Sequence, residues 1–321
     1  METQTRARSY SSSSVTAYAA ATPTSNRESF KALAASLGMR RVKYGETHPK
    51  VGSAWNRIGN YLFRSCQYSN ALEAYKRAVA CYKGGEPELG CAYSNMGTAL
   101  WASGRPDKAI SFLEKALEAY ELFEITEGGN PDESLAVAST LYQMGLCNTL
   151  RKQYGEALSC LKKCQKIQAS LLPAMDIQVG RTLDAIGKVH YFKEEYSTAL
   201  QCHEEARRIK SAAGDNESAV VTSLLNIAAV HHATKNWNVA LSKYAKVMHL
   251  QQSELIRCRN QKGQSLLTRA AQDVGETLQL MGDMHRQMEQ EGQALRFYKE
   301  ALMVYQEAGL SQDDPRMLAL K

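Results

Sequence analysis

Six segments of this chain align with one another without gaps: WNRIGNYL (55–62), YSNMGTAL (93–100), LYQMGLCN (141–148), LDAIGKVH (183–190), LLNIAAVH (224–231) and LQLMGDMH (278–285). One position is always Gly or Ala: Gly59, Gly97, Gly145, Gly187, Ala228 and Gly282. The residue before it is apolar (Ile58, Met96, Met144, Ile186, Ile227, Met281), and the residue four before it is large and apolar (Trp55, Tyr93, Leu141, Leu183, Leu224, Leu278). Agreement continues downstream, where the alignment imposes nothing. Twelve residues after the Gly/Ala stands Ala in all six: Ala71, Ala109, Ala157, Ala199, Ala240 and Ala294. Four further on come Tyr75, Leu113, Leu161, His203, Tyr244 and Tyr298, and three beyond those Ala78, Ala116, Cys164, Ala206, Val247 and Ala301. A repeat of this length is one supersecondary unit that buries too little alone, so the chain must fold as a stack of such units.

Each unit reads as two antiparallel helices. Gly on the first and Ala on the second let the backbones approach, while the large residues fill the space between them and against the next pair. The prolines agree. Pro23, Pro49, Pro87, Pro131, Pro173 and Pro315 fall in the tail or between pairs, and Pro106 opens a second helix, where a missing N–H costs little. The Gly/Ala positions are spaced 38, 48, 42, 41 and 54 residues apart. Gly84-Gly85-Glu86-Pro87, Glu127-Gly128-Gly129-Asn130-Pro131 and Gly214-Asp215-Asn216 mark connections. The longest spacing predicts a second helix across Leu241 to Arg259, lengthened by about two turns.

Phe30, Leu33, Ala34 and Leu37 share one helical face, which predicts a capping helix over 27–48. Six helix pairs over 49–308 follow, and SQDDPRMLALK gives a C-terminal cap or a truncated next repeat over 309–321. Residues 1–26 are rich in Ser, Thr and Ala and read as a disordered tail. The same composition, with Arg6, Arg8 and a single acid, also suits an organellar transit peptide.

The aligned pattern resembles the tetratricopeptide repeat, W-x2-L-G-x2-Y…A-x3-F…A, six times over. The units exceed the usual length of about 34 residues. Gly45-Glu46-Thr47-His48-Pro49-Lys50-Val51 looks like the G-x-x-H-P-x-V lead of the kinesin light chain type, with weaker echoes at Asn130-Pro131 and Asp314-Pro315. The resemblance implies an all-α fold, a right-handed α-solenoid (superhelix) of antiparallel helix pairs. It also implies a concave groove that takes extended or short helical peptide segments, and so a non-catalytic scaffold or adaptor for a partner protein. Kinesin light chains carry a heptad coiled coil before their repeats. Residues 1–50 hold no run of three apolar heptads, which speaks against a motor-linker role. The two-carboxylate clamp of chaperone-binding relatives is not matched either. Asn56 and Asn60 stand where a Lys–Asn pair is expected, and Ser139 and Gln143 replace the bases of the third helix.

Residues three or four apart share a helix face, so the face opposite the buried one carries the candidate groove. It comprises Asn56, Asn60 and Phe63 in the first pair, Asn95 and Trp101 in the second and Tyr142 in the third. Arg181, Lys188 and Tyr191 follow in the fourth, Asn226 and His232 in the fifth and Arg286 in the sixth. Amides such as Asn56 and Asn60 pair with the N–H and C=O of an extended peptide, and Trp101 and Tyr191 offer anchors for apolar side chains. The alternative is that the polar members only solvate an inner helix face. His190, His231 and His285 share one position, three after the Gly/Ala, and read as packing between helices with one ring nitrogen bonded.

Charge and cysteine usage narrow the remaining classes. The chain has 321 residues with 39 Lys+Arg against 33 Asp+Glu, net +6. Of that surplus, +5 lies in residues 1–50, leaving a body of 31 bases and 30 acids. Such a body offers no dense basic face for phosphates, so nucleic acid is not expected as a partner. No apolar run is long enough to insert in a membrane. The eight cysteines contain no C-x-x-C and read as reduced packing thiols, with no metal site. No phosphate-cradling Gly loop, G-x-S-x-G or H-E-x-x-H appears, so neither catalysis nor a cofactor is expected. The expected location is cytoplasmic, or mitochondrial or plastid if residues 1–26 are a transit peptide. Two other roles fit the same pattern: an organelle-targeted assembly factor, and a regulatory subunit bound to an enzyme or motor through the convex face.

Overall fold

The computed structural model describes residues 29–127, 130, 134–213, 217–260, 264–311 and 313–319. The tail over 1–26 and the connection Gly214-Asp215-Asn216 lie outside the described residues. The fold is an all-α solenoid, and the described residues hold helices and no strand. Helix α1 (Phe30–Tyr44) precedes the first pair, α2 (Pro49–Arg64) with α3 (Tyr68–Val79). The second and third pairs are α4 (Pro87–Ala102) with α5 (Pro106–Glu127), and α6 (Leu135–Leu150) with α7 (Tyr154–Leu171). Helices α8 (Ile177–Phe192) and α9 (Tyr196–Ala212) correspond to the fourth repeat of the sequence, and the fifth pair is α10 (Glu217–Ala233) with α11 (Trp237–Asn260). The sixth is α12 (Gln264–Gln287) with α13 (Glu291–Glu307), followed by the short α14 (Pro315–Leu318).

Local chemistry sets the starts of these helices. Pro49, Pro87, Pro106 and Pro315 each open a helix, where the fixed φ suits the first turn and no N–H partner is lost. His48 Nδ1 accepts from the Lys50 N–H at 3.1 Å, and Asp314 Oδ1 from the Arg316 N–H at 2.9 Å, capping α2 and α14. The turn inside every pair is the same. The residue seven after the Gly/Ala takes a left-handed φ of 58–75° in Cys66, Gly104, Lys152, Glu194, Lys235 and Glu289. The chain then folds back, for example with Gln67 N–H on Leu62 O at 2.9 Å and Gln153 N–H on Asn148 O at 2.9 Å.

The repeat's small residue earns its place by contact. A Cβ at Gly145 would stand 2.5 Å from Leu161, one at Gly282 2.5 Å from the Tyr298 ring, and one at Gly59 would overlap the Tyr75 ring. In each case the colliding residue is the one sixteen positions on. The 54-residue spacing is met on both sides of the fifth connection. Helix α11 has 24 residues, and α12, a first helix, also has 24 where α2, α4, α6 and α8 have 16.

The chain divides into two compact units between Lys193 and Glu194. In the first, α1 seats Leu33 and Leu37 on Val51, Ala54 and Ile58. Each second helix there packs on the next first helix, and the first helices also touch directly, α2 on α4, α4 on α6 and α6 on α8. The first helices therefore lie side by side along one face of this unit. In the second unit α9 to α13 pack in succession, and α10 to α13 enclose a core of Tyr244, Leu278, Met284 and Tyr305, into which α14 inserts Met317.

Candidate functional site

On the first unit, the row of first helices brings the amides of Asn56 and Asn95 together. Asn95 Nδ2 donates to Asn56 Oδ1 at 3.0 Å, joining α2 to α4. Asn60 is held differently: the Tyr75 hydroxyl donates to its Oδ1 at 2.8 Å, because Gly59 lets that ring lie against α2. Asn60 makes no further bond among the described residues through its Nδ2, nor Asn95 through its Oδ1. All three amides are partly exposed.

One step along, the contacts become drier. Thr98 and Ser94 of α4 both donate to Gln143 Oε1 of α6, the Ser94 bond at 3.5 Å and the Thr98 bond shorter. Trp101 beside them is 6% exposed, Phe63 8% and Tyr191 6%, so these three aromatics sit beneath the face rather than on it. Phe63 packs on Met96 and Ala99 of the next first helix, Trp101 lies against Gln143 and Leu146 of α6, and Tyr191 packs edge-on to Phe192. Tyr142 stays partly exposed.

The fourth pair supplies charge. Arg181 is partly exposed and makes no ion pair among the described residues. Lys188 lies one turn from the buried Asp184, and burial takes its ammonium down to about 7, with the Asp184 carboxylate pulling the other way.

On the second unit the corresponding positions are largely engaged. Asn226 is 8% exposed, with Nδ2 3.4 Å from His203 Nδ1. His232 Nε2 stands 2.9 Å from Gln287 Oε1, and its ring tilts on Trp237. Arg286 pairs with Asp283 at 3.3 Å, while the Tyr298 hydroxyl donates to the same Asp283 oxygen at 2.7 Å. Asp273, nearly three turns earlier on α12, is raised to about 6 by burial and then by Glu276. His285 stacks on Phe297 at 5.2 Å with Nδ1 2.6 Å from Gln290 Oε1, and burial lowers the His231 pKa.

Sequence reasoning did not select Thr98 and Gln143 as a bonded pair. Their polarity at adjacent inner positions of successive repeats was the available signal. Among the described residues no group of three His, Cys, Asp or Glu side chains is placed to hold a metal ion.

With this geometry in view, the comparisons are consistent with one another. Tetratricopeptide-repeat profiles match residues 136–212 and 92–121. No curated protein matches the sequence significantly. Among solved structures, BtubC (BKLC) from P. vanneervenii is similar, with 17% identity, a TM-score of 0.59, and coverage of 72% of this chain and 92% of that one. The nearly identical TPR-like repeats from Podosopora anserina, described as kinesin light chain, match at 16% identity and a TM-score of 0.52, over 64% of this chain and 97% of that one. A Rap protein complexed with competence and sporulation factor matches at 14% identity and a TM-score of 0.54, over 88% of each chain. At these identities the likeness is one of fold.

Proposed function

We propose that this chain, a tetratricopeptide-repeat protein resembling the kinesin light chains, is a non-catalytic interaction scaffold. It holds a peptide segment of a partner protein along α2, α4, α6 and α8. One observation carries the reading: Asn60 and Asn95 each spend half of their amide on the fold and keep the other half for a ligand. Asn60 retains two N–H donors and Asn95 a carbonyl acceptor, on adjacent first helices, both open to solvent. An extended peptide presents the complementary C=O and N–H groups, which otherwise go unsatisfied once water is displaced. Arg181 adds a cation for an acidic ligand residue, favouring encounter and register more than affinity. A Rap protein of the same fold complexed with competence and sporulation factor supports the reading.

Eight free thiols fit a reducing compartment, which supports a cytoplasmic location. No described helix is long and apolar enough to cross a membrane. Cleavage of residues 1–26 as a transit peptide is the alternative, and sequencing the mature N-terminus separates the two.

The test is a displayed random-peptide selection on the wild-type chain, with affinities then measured by fluorescence polarisation. Each hydrogen bond is worth about 0.5–1.5 kcal/mol, so an Asn60→Ala/Asn95→Ala variant of native helicity should bind selected peptides roughly tenfold more weakly. Peptides that bind this variant as tightly as the wild type would move the site to another face. A selection yielding no related sequences would remove the scaffold reading.

A further inference from the structure

Helix α1 has two apolar faces. One seats Leu33 and Leu37 on α2. At helical spacing the opposite face carries Ala32, Ala35, Met39 and Val42, and it is open: Met39 is 69% exposed and Val42 91%. The terminal helix of a solenoid normally turns a polar face outward, since no further repeat covers it. Here the outward stripe is apolar, and Lys31 and Lys43 stand on either side of it. The helix contains no acid, and neither lysine has a carboxylate partner among the described residues.

A second exposed patch, of opposite charge, lies on the same compact unit. Helix α5 has 22 residues, against 12 in α3 and 18 in α7, and Tyr120 is its last buried side chain. The turns beyond it expose Leu122 at 51% and Ile125 at 68%. Glu114, Glu118 and Glu121 share that outward face, and none of them has a basic partner among the described residues.

The two patches match in spacing and are opposite in sign. Each sets a pair of apolar residues three apart, Met39 with Val42 and Leu122 with Ile125, beside charges of one sign. Two copies of α1 would bring like charges together, as would two copies of α5. Packing α1 against α5 instead sets lysine beside glutamate around an apolar centre. We propose that a second copy of this chain occupies both patches, α1 of each protomer packing on the end of α5 of the other. The contact is reciprocal, as a two-fold dimer requires. It does not involve the amides of Asn60 and Asn95, so it stands whether or not a peptide binds there.

The experiment is sedimentation velocity on the full chain from about 1 to 100 µM, a range suited to a small interface. Lys31→Glu/Lys43→Glu and Glu118→Lys/Glu121→Lys alter only exposed side chains, and circular dichroism checks that both variants fold. The expected result is a concentration-dependent dimer for the wild type, weakened by salt. Each variant alone should self-associate roughly tenfold more weakly. An equimolar mixture of the two should recover the wild-type dimer, because each variant then meets the opposite charge at both contacts. A wild type that stays monomeric throughout would overturn the proposal and assign α1 to a different partner. So would a dimer indifferent to either reversal, or a mixture that associates as weakly as its components.

Discussion

Thr182 of α8 donates its hydroxyl proton to Gln168 Oε1 of α7 at 2.8 Å, across the join between the third and fourth helix pairs. Both side chains are buried, and the same two register positions are bonded at two further joins. Lys210 Nζ donates to Ser223 Oγ at 3.1 Å, and Thr277 donates to Gln251 Oε1 at 2.8 Å. In the first, second and sixth pairs the equivalents of Gln168 are Tyr82, Tyr120 and Tyr305. These lie where a Cβ on Gly52, Gly90 or Gly275 would stand.

The Gln168–Thr182 bond predicts non-additive mutational costs. Thr182→Val leaves the buried Gln168 carbonyl without that donor and should destabilise the chain by about 1–3 kcal/mol. The double change Gln168→Leu/Thr182→Val removes both partners and should cost less than the sum of the single changes. Urea unfolding of the four proteins measures the coupling, and strict additivity would show that the bond contributes nothing.

Two glycine substitutions should move stability in opposite directions. Gly59→Ala drives a methyl into the Tyr75 ring, which is 1% exposed and has nowhere to go, and should cost about 1–3 kcal/mol. Gly38, inside α1, has nothing within 4 Å of the same added atom. Gly38→Ala should therefore stabilise α1 by about 0.5–1 kcal/mol through helix propensity. Thermal melts decide both signs.

Lys188 makes a pH prediction. Its pKa in the folded chain is about 7, against about 10.4 in an unfolded chain. Between those values the unfolded chain binds the proton that the folded chain gives up, so stability from this group rises with pH from about 7 to about 10. Lys188→Met should flatten the rise in Tm between pH 7 and pH 9.5 relative to wild type. Parallel curves for the two proteins would contradict the burial of the amine.

The thiols should divide by access. Cys66 is exposed, whereas burial pushes Cys147 up to about 12 and Cys164 up to about 11. Only the thiolate attacks a disulfide reagent. Native protein at pH 8 should therefore lose its fastest phase in Cys66→Ser, with the partly exposed Cys91, Cys160 and Cys202 reacting more slowly and Cys147 and Cys164 only on unfolding. Fast labelling of Cys147 or Cys164 in the native protein, read by mass spectrometry, would show that a buried thiol opens readily.

The helix pairs were legible because a Cβ at Gly59, Gly145 or Gly282 collides with a residue at a fixed offset, and so a short local pattern encodes the contact. The aromatics of the inner face were not. Phe63, Trp101 and Tyr191 look like surface anchors on a single helix but are buried, Phe63 and Trp101 by the next first helix some forty residues away in sequence. The length of α12 was missed for a similar reason. The 54-residue spacing gives the total surplus, but not its division across the connection. Asn56 and Asn95 were both read as candidates, yet their mutual bond depends on the offset between successive first helices, which periodicity alone leaves open.

Modules cut to one pattern risk docking on the wrong neighbour as the chain collapses. The change from aromatic joins after the first two pairs to hydrogen-bonded joins after the third, fourth and fifth lifts part of that degeneracy. If the third pair were followed by the second, Gln168 would face Ala92, a methyl in place of the Thr182 hydroxyl, and would lose its donor in a dry interface. The seam after the third pair thus accepts a hydroxyl-bearing successor and disfavours the second pair, so part of the order of these similar modules is written into the chemistry of their seams.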